Sequence, residues 1–160
     1  MTVLTIFRRA LVAGSCASAL SALALAWYGR RENRSAAAPI NAVSHWYWGD
    51  EALGRHRTDG RHTLLGYATH HGASLFWAGL LCAFLHGRPQ KQTKGYLLAA
   101  SVGTSAIACF VDFRLTPHRF TPGYEHRVSR PALAVTYLAF AVGLAIGTIA
   151  TVVGRRVRPR

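Results

Sequence analysis

Residues 62–87 read HTLLGYATHHGASLFWAGLLCAFLHG, a run without a single Asp, Glu, Lys or Arg. A helix rises about 1.5 Å per residue and the hydrocarbon core of a bilayer is about 30 Å thick, so roughly 20 apolar residues make one crossing. The run is long enough, and residues 10–29, 95–111 and 131–154 share its character. Together they predict crossings at about 10–29, 63–86, 95–112 and 131–153. Polar loops at 30–62 and 113–130 and a tight turn at 88–94, marked by Gly87 and Pro89, connect them. The expected fold is all-α: an integral membrane four-helix bundle, one domain over 1–160. A short interfacial helix is expected in the first long loop. Pro39 and Asn41 offer a helix start ahead of Ser44-His45-Trp46-Tyr47-Trp48, whose rings belong at headgroup level.

Composition narrows the partners. The 160 residues carry 19 Lys and Arg against 6 Asp and Glu, a formal charge of +13. On a soluble chain this excess would point to nucleic acid. Here the cations sit between apolar runs, where they face lipid phosphates and water. The lipid bilayer is therefore the expected partner, and no nucleic acid. Cys16, Cys82 and Cys109 all lie inside apolar runs, odd in number and without metal-ligand spacing, and are read as small packing residues.

The first run has two readings. Arg8 and Arg9, an apolar stretch and Ala24-Leu25-Ala26 resemble a cleavable signal peptide. The run continues, however, through Trp27 and Tyr28 to Arg30 and Arg31, an aromatic anchor with a basic flank, which predicts a retained helix. Small residues recur every four positions, at Gly14, Ser18, Ala22 and Ala26 and again at Ala139, Gly143, Gly147 and Thr151. This spacing lets helix backbones approach closely in lipid. Gly143 and Gly147 also form a homodimer motif, with packing inside the chain the first expectation.

Four crossings put both termini on one side. That side holds nine of the 19 cations, in residues 8–9, 88–94 and 155–160, and the other side holds ten. So even a count leaves the positive-inside rule without a preferred orientation. Glu32, Asp50, Glu51, Asp59, Asp112 and Glu125 all fall on the second side, which favours termini in the cytoplasm.

The second side also holds all but one of the eight histidines. The exception, His86, sits beside Gly87 and reads as a helix-end residue. His70 and His71 lie roughly 10 Å into the second crossing if it starts near Thr63. Ionisable groups at that depth are costly and face partners inside the bundle, and Asp112 at the end of the third crossing is the expected partner. The loop Thr116-Pro117-His118-Arg119-Phe120-Thr121-Pro122-Gly123-Tyr124-Glu125-His126-Arg127 is stiffened by two prolines and a Pro-Gly turn, as a lid over the helix ends would be. The candidate ligand or proton site comprises His45, Asp50, Arg61, His62, Tyr67, His70, His71, Asp112, Arg119, Glu125 and Arg127.

Three functions remain open on these residues. Arg61, Arg119 and Arg127 suit an anionic lipid headgroup, and histidine beside carboxylate suits a small ligand or a response to protons. This first reading is the preferred one. Imidazole with carboxylate also suits a transition metal, with His62, His70, His71 and Asp112 as ligands, and two histidines can hold haem. A metal- or haem-dependent membrane enzyme is therefore an alternative, although the spacing matches neither zinc-protease nor desaturase histidine motifs. A scaffold or accessory subunit is the third.

The stretches His45-Trp46-Tyr47-Trp48-Gly49-Asp50-Glu51-Ala52, Arg61-His62-Thr63 with Gly66-Tyr67-Ala68-Thr69, and Thr121-Pro122-Gly123-Tyr124-Glu125-His126-Arg127 carry a resemblance. Over residues 40–144 the chain resembles a group of small, uncharacterised bacterial inner-membrane proteins with four predicted helices. The resemblance implies the bacterial inner membrane and supplies no activity.

Overall fold

The computed structural model describes residues 3–88 and 92–156, with side chains in the last helix as far as Val152. Pro89, Lys91, Arg158 and Arg160, counted above in the turn and the basic flank, lie outside the described residues, as do the side chains of Arg155 and Arg156. Every regular element among the described residues is helical. In chain order these are α1 (Val3–Asn33), α2 (Ala38–Val43), α3 (His45–Trp48), α4 (Leu65–His86), α5 (Lys94–Phe110) and α6 (Arg130–Arg156). Wide π-helical turns at Gly60–Leu64 and Val111–Leu115 lead into α4 and out of α5, and short 3-10 turns occupy Gly49–Gly54, His118–Phe120 and Tyr124–His126.

Among the described residues three helices are long and apolar enough to cross a membrane: α1, α5 continued to Leu115, and α6. The 22-residue α4 falls outside that class, because His70 and His71 dilute its apolar run. The helix ends follow local chemistry. Thr93 caps α5 by accepting from the Tyr96 N–H, and Asp59 accepts the His62 N–H just ahead of α4. Arg34, in the left-handed conformation at φ 57°, turns the chain out of α1.

Packing centres on α1, which lies against α6 on one side and α4 on the other. A Cβ on Gly143 would run into the backbone of Ala17, and one on Gly147 into that of Ala13. The two glycines thus serve a contact within the chain, and the face that suggested a homodimer is covered by α1. Gly14 brings α1 onto Ser74 and Leu75 of α4 in the same way. Without hydrophobic drive in lipid, such backbone approach is what holds helices together. Helix α5 packs on α6, where Ser105 Oγ donates to the Tyr137 carbonyl at 2.7 Å, and meets its sequence neighbour α4 only sparsely.

At the loop end the short α2 is buried throughout. Three glycines close on it: Gly29 of α1 against Pro39, Gly66 of α4 against the Ile40 carbonyl, and Gly123 at φ 88° against the Ala42 carbonyl and the His45 ring. Asn41, fully buried, ties the surroundings together. Its amide donates to the Arg55 and Arg57 carbonyls at 3.2 and 2.9 Å, and its oxygen accepts from Thr63 at 2.6 Å. The helix started by Pro39 is therefore a hub under the loops. Only Tyr47 and Trp48, just beyond it, are exposed as interfacial rings would be.

Candidate functional site

Because α5 leans on α6 and α4 on α1, a cavity of about 670 Å3 remains between α4 and α5. That volume lies within the roughly 300–1,000 Å3 of small-molecule sites. Ala68, Gly72, Ala73 and Phe76 of α4 form an exposed mouth. Trp77, Ala108 and Phe140 line the apolar interior. Trp46 of α3 and Phe120, Pro122 and Tyr124 of the second loop close it from the loop end.

That loop is strapped down. Trp46 Nε1 donates to the Thr121 carbonyl at 2.8 Å, and its ring meets Phe120 edge-on at 5.7 Å. Glu32 accepts from the Ser129 N–H and hydroxyl at 2.7 and 2.8 Å, and Asn33 donates to the Arg127 carbonyl. These bonds, with Gly123 seated on α2, give the lid a fixed place.

Polar groups sit on two walls of the cavity. On one, His70 Nε2 lies 2.9 Å from Ser21 Oγ of α1. Ser21 donates its own hydrogen to the Ala17 carbonyl at 2.7 Å, so it accepts from His70 and holds the imidazole proton on Nε2. On the other, Tyr124 donates to Tyr137 at 3.2 Å, and Tyr137 donates to Asp112 Oδ2 at 2.6 Å. Burial pushes the Tyr124 phenol well above its ordinary range, with the nearby Asp112 adding to the effect, so the phenol stays protonated and able to donate. Asp112 stands in the π-helical turn Val111–Leu115, and Oδ1 has no protein partner among the described residues.

Of the eleven candidate site residues, only His70 and Asp112 line this cavity. The expected pairing of Asp112 with a histidine gives way to Tyr137, because α5 packs on α6 rather than on α4. His71 stacks on Tyr67 with ring centroids 5.9 Å apart. Buried His62 is held by Asp59 at 3.0 Å. The His62 backbone N–H, helped by its side chain, keeps the Asp59 carboxyl below the usual carboxylate range. His45 donates through Nδ1 to the Ala42 carbonyl at 2.8 Å and belongs to the hub. Arg61 lies 4.0 Å over the Trp48 ring, and Arg127 Nη2 is 2.9 Å from His56 Nε2. Asp50 and Arg119 are exposed on their turns, and Glu125 stands 3.9 Å from His126. His62, His70, His71 and Asp112 thus have four different partners, and no three His, Cys, Asp or Glu side chains among the described residues gather as metal ligands.

Sequence reasoning missed Ser21, Tyr124 and Tyr137. The only signal for Ser21 and Tyr137 was a polar atom inside an apolar run, which a count of formal charges passes over. Comparison with known proteins found no matching family model, no similar curated protein and no similar solved structure. The resemblance drawn from sequence rests on its quoted residues alone.

Proposed function

We propose that this chain is a multi-pass protein of the bacterial inner membrane that crosses the bilayer four times and binds a small amphipathic ligand between α4 and α5. The three helices apolar enough to span support the membrane assignment. The fourth crossing is α4, which runs along α1 and carries no formal charge from Leu65 to His86. His70 reaches Ser21 inside the protein, which lowers the cost of burying it in a bilayer, and His71 stacks on Tyr67 of the same helix. Ala13, Ala17 and Leu25 of α1 are fully buried, which supports a retained first helix. Both termini then face the cytoplasm. The loop face, with Arg61, Arg119 and Arg127, meets anionic headgroups of the opposite leaflet.

One observation carries the binding reading: a cavity of about 670 Å3 with a mainly apolar surface holds a carboxylate with an open oxygen at its loop end. A membrane protein with no ligand to orient would fill that space with side chains. The ligand enters from the side, past Gly72 and Ala73, with its apolar body against Trp77 and Phe140.

The test is native mass spectrometry on protein released from its own membrane, beside the variant Ala73→Phe. Ala73 is exposed at the mouth, so a ring there obstructs the cavity without disturbing the core. The expected result is a co-purifying small molecule on the wild type that is absent from the variant. Identical spectra would contradict the reading.

A further inference from the structure

Except for that of Tyr47, whose ring is exposed at the loop end, the side-chain hydroxyl hydrogens around the cavity are directed into the protein. Ser21, Thr69, Ser74, Thr116 and Thr136 donate to backbone carbonyls at 2.7, 2.9, 2.8, 3.0 and 2.9 Å. Tyr124 donates to Tyr137 and Tyr137 to Asp112. The Trp46 indole donates to Thr121, and the His70 Nε2–H to Ser21. Among these inner groups the open positions are acceptors, Asp112 Oδ1 and, with the proton on Nε2, His70 Nδ1. A buried acceptor left unmatched is penalised, and so is a ligand acceptor brought against it.

Resting on the binding reading above, we infer that the cavity selects single-chain amphiphiles whose head donates a hydrogen bond, an alcohol or an amine, and rejects heads that only accept. The head group meets Asp112 Oδ1 beside Tyr137, while the chain runs toward the mouth at Gly72. Tyr137 and Tyr124 position the carboxylate: the phenol on Oδ2 fixes its rotation, so Oδ1 faces the ligand. The discrimination equals one hydrogen bond to a carboxylate, roughly tenfold to a hundredfold in affinity. An ammonium head adds charge pairing, whereas a hydroxyl head adds only the bond, and either order between the two satisfies the inference.

The experiment places the full chain in lipid nanodiscs and measures binding of 1-dodecanol, dodecylamine and dodecyl methyl ether by native mass spectrometry. Specific binding is the part lost in Ala73→Phe. The alcohol and the amine are expected to bind at least roughly tenfold more tightly than the ether, which has the same chain and no donor. In Asp112→Asn, whose amide can itself donate, the ether should gain relative to the alcohol and the gap should narrow. Equal binding of ether and alcohol, both removed by Ala73→Phe, would overturn the donor rule and leave the cavity reading standing. No binding by any of the three, or binding unchanged in Ala73→Phe, would overturn both.

Discussion

Where α1 meets α6, Gly143 and Gly147 bring one backbone against the other at Ala17 and Ala13. Between α4 and α5, Phe76, Trp77 and Phe140 stand around an open space instead. Apart from Asp112, both regions are built from uncharged residues, and overall composition does not separate them. The difference is which helices are neighbours: glycines let α1 and α6 close, whereas α4 packs on α1 and α5 on α6, leaving even the small residues Ala68, Gly72 and Ala73 uncovered. In lipid, apolar surface gains little from leaving one hydrocarbon for another, so a seam closes only where backbones can approach. The first arrangement is a closed backbone contact, and the second leaves the cavity in which a ligand is proposed to bind.

Breaking the closed seam should have the largest effect. Gly147→Leu forces a side chain into the Ala13 backbone, which cannot yield as a flexible side chain would. A loss of about 3 kcal/mol is expected in reversible unfolding by denaturing detergent. Gly103→Ala in α5, where a Cβ meets nothing within 4 Å, is the matched control. It should be neutral or gain about 0.5 kcal/mol, as glycine in a helix interior gives way to alanine. If the two variants unfolded alike, glycine contact would not be what distinguishes the seam.

The next effect falls on the hub that holds the roof of the open face. Asn41→Ala removes two donors and an acceptor from a buried position, leaving the Thr63 hydroxyl and the Arg55 and Arg57 carbonyls without that partner. The expected loss is about 2 kcal/mol in the same unfolding assay. Hydrogen exchange should rise in residues 55–66 and leave the α1–α6 seam protected. Uniform exchange across the chain would mean that the two regions are not separable.

Smaller effects belong to the exposed rim. Arg61→Ala removes a guanidinium 4.0 Å over Trp48 and should lower stability by about 0.5 kcal/mol, with reduced binding to anionic vesicles. Acid should loosen the turn ahead of α4 through Asp59. Its folded pKa lies below the unfolded one, so its contribution is complete above the unfolded value and disappears as pH falls through the folded one. Faster exchange at residues 60–64 below the carboxylate range, absent in Asp59→Asn, is the expected signature.

These regions differed in how legibly the sequence announced them. The charge-free runs lie along the observed long helices, because a stretch without charge has few other ways to satisfy its backbone in lipid. The seam was readable as well, since Gly143 and Gly147 fall on one helical stripe. The cavity was not. It arises because α5 packs on α6 and away from α4, a choice of neighbour that no single helix records. For the same reason Asp112 and His70 could be marked as buried polar residues while their partners, Tyr137 and Ser21, were not identified. The histidines and arginines of the loops looked convergent because the predicted crossings put them on one membrane face. Folding around α2 gives most of them separate partners.

A photoreactive dodecyl diazirine, activated in native membranes and mapped by peptide sequencing, tests the central claim most directly. The open-face account predicts adducts on peptides covering residues 65–77 and 108–124, reduced by excess 1-dodecanol, with the α1–α6 seam unlabelled. Labelling confined to outward-facing side chains such as Phe7, Phe84 and Leu138, with no competition by the alcohol, would contradict it.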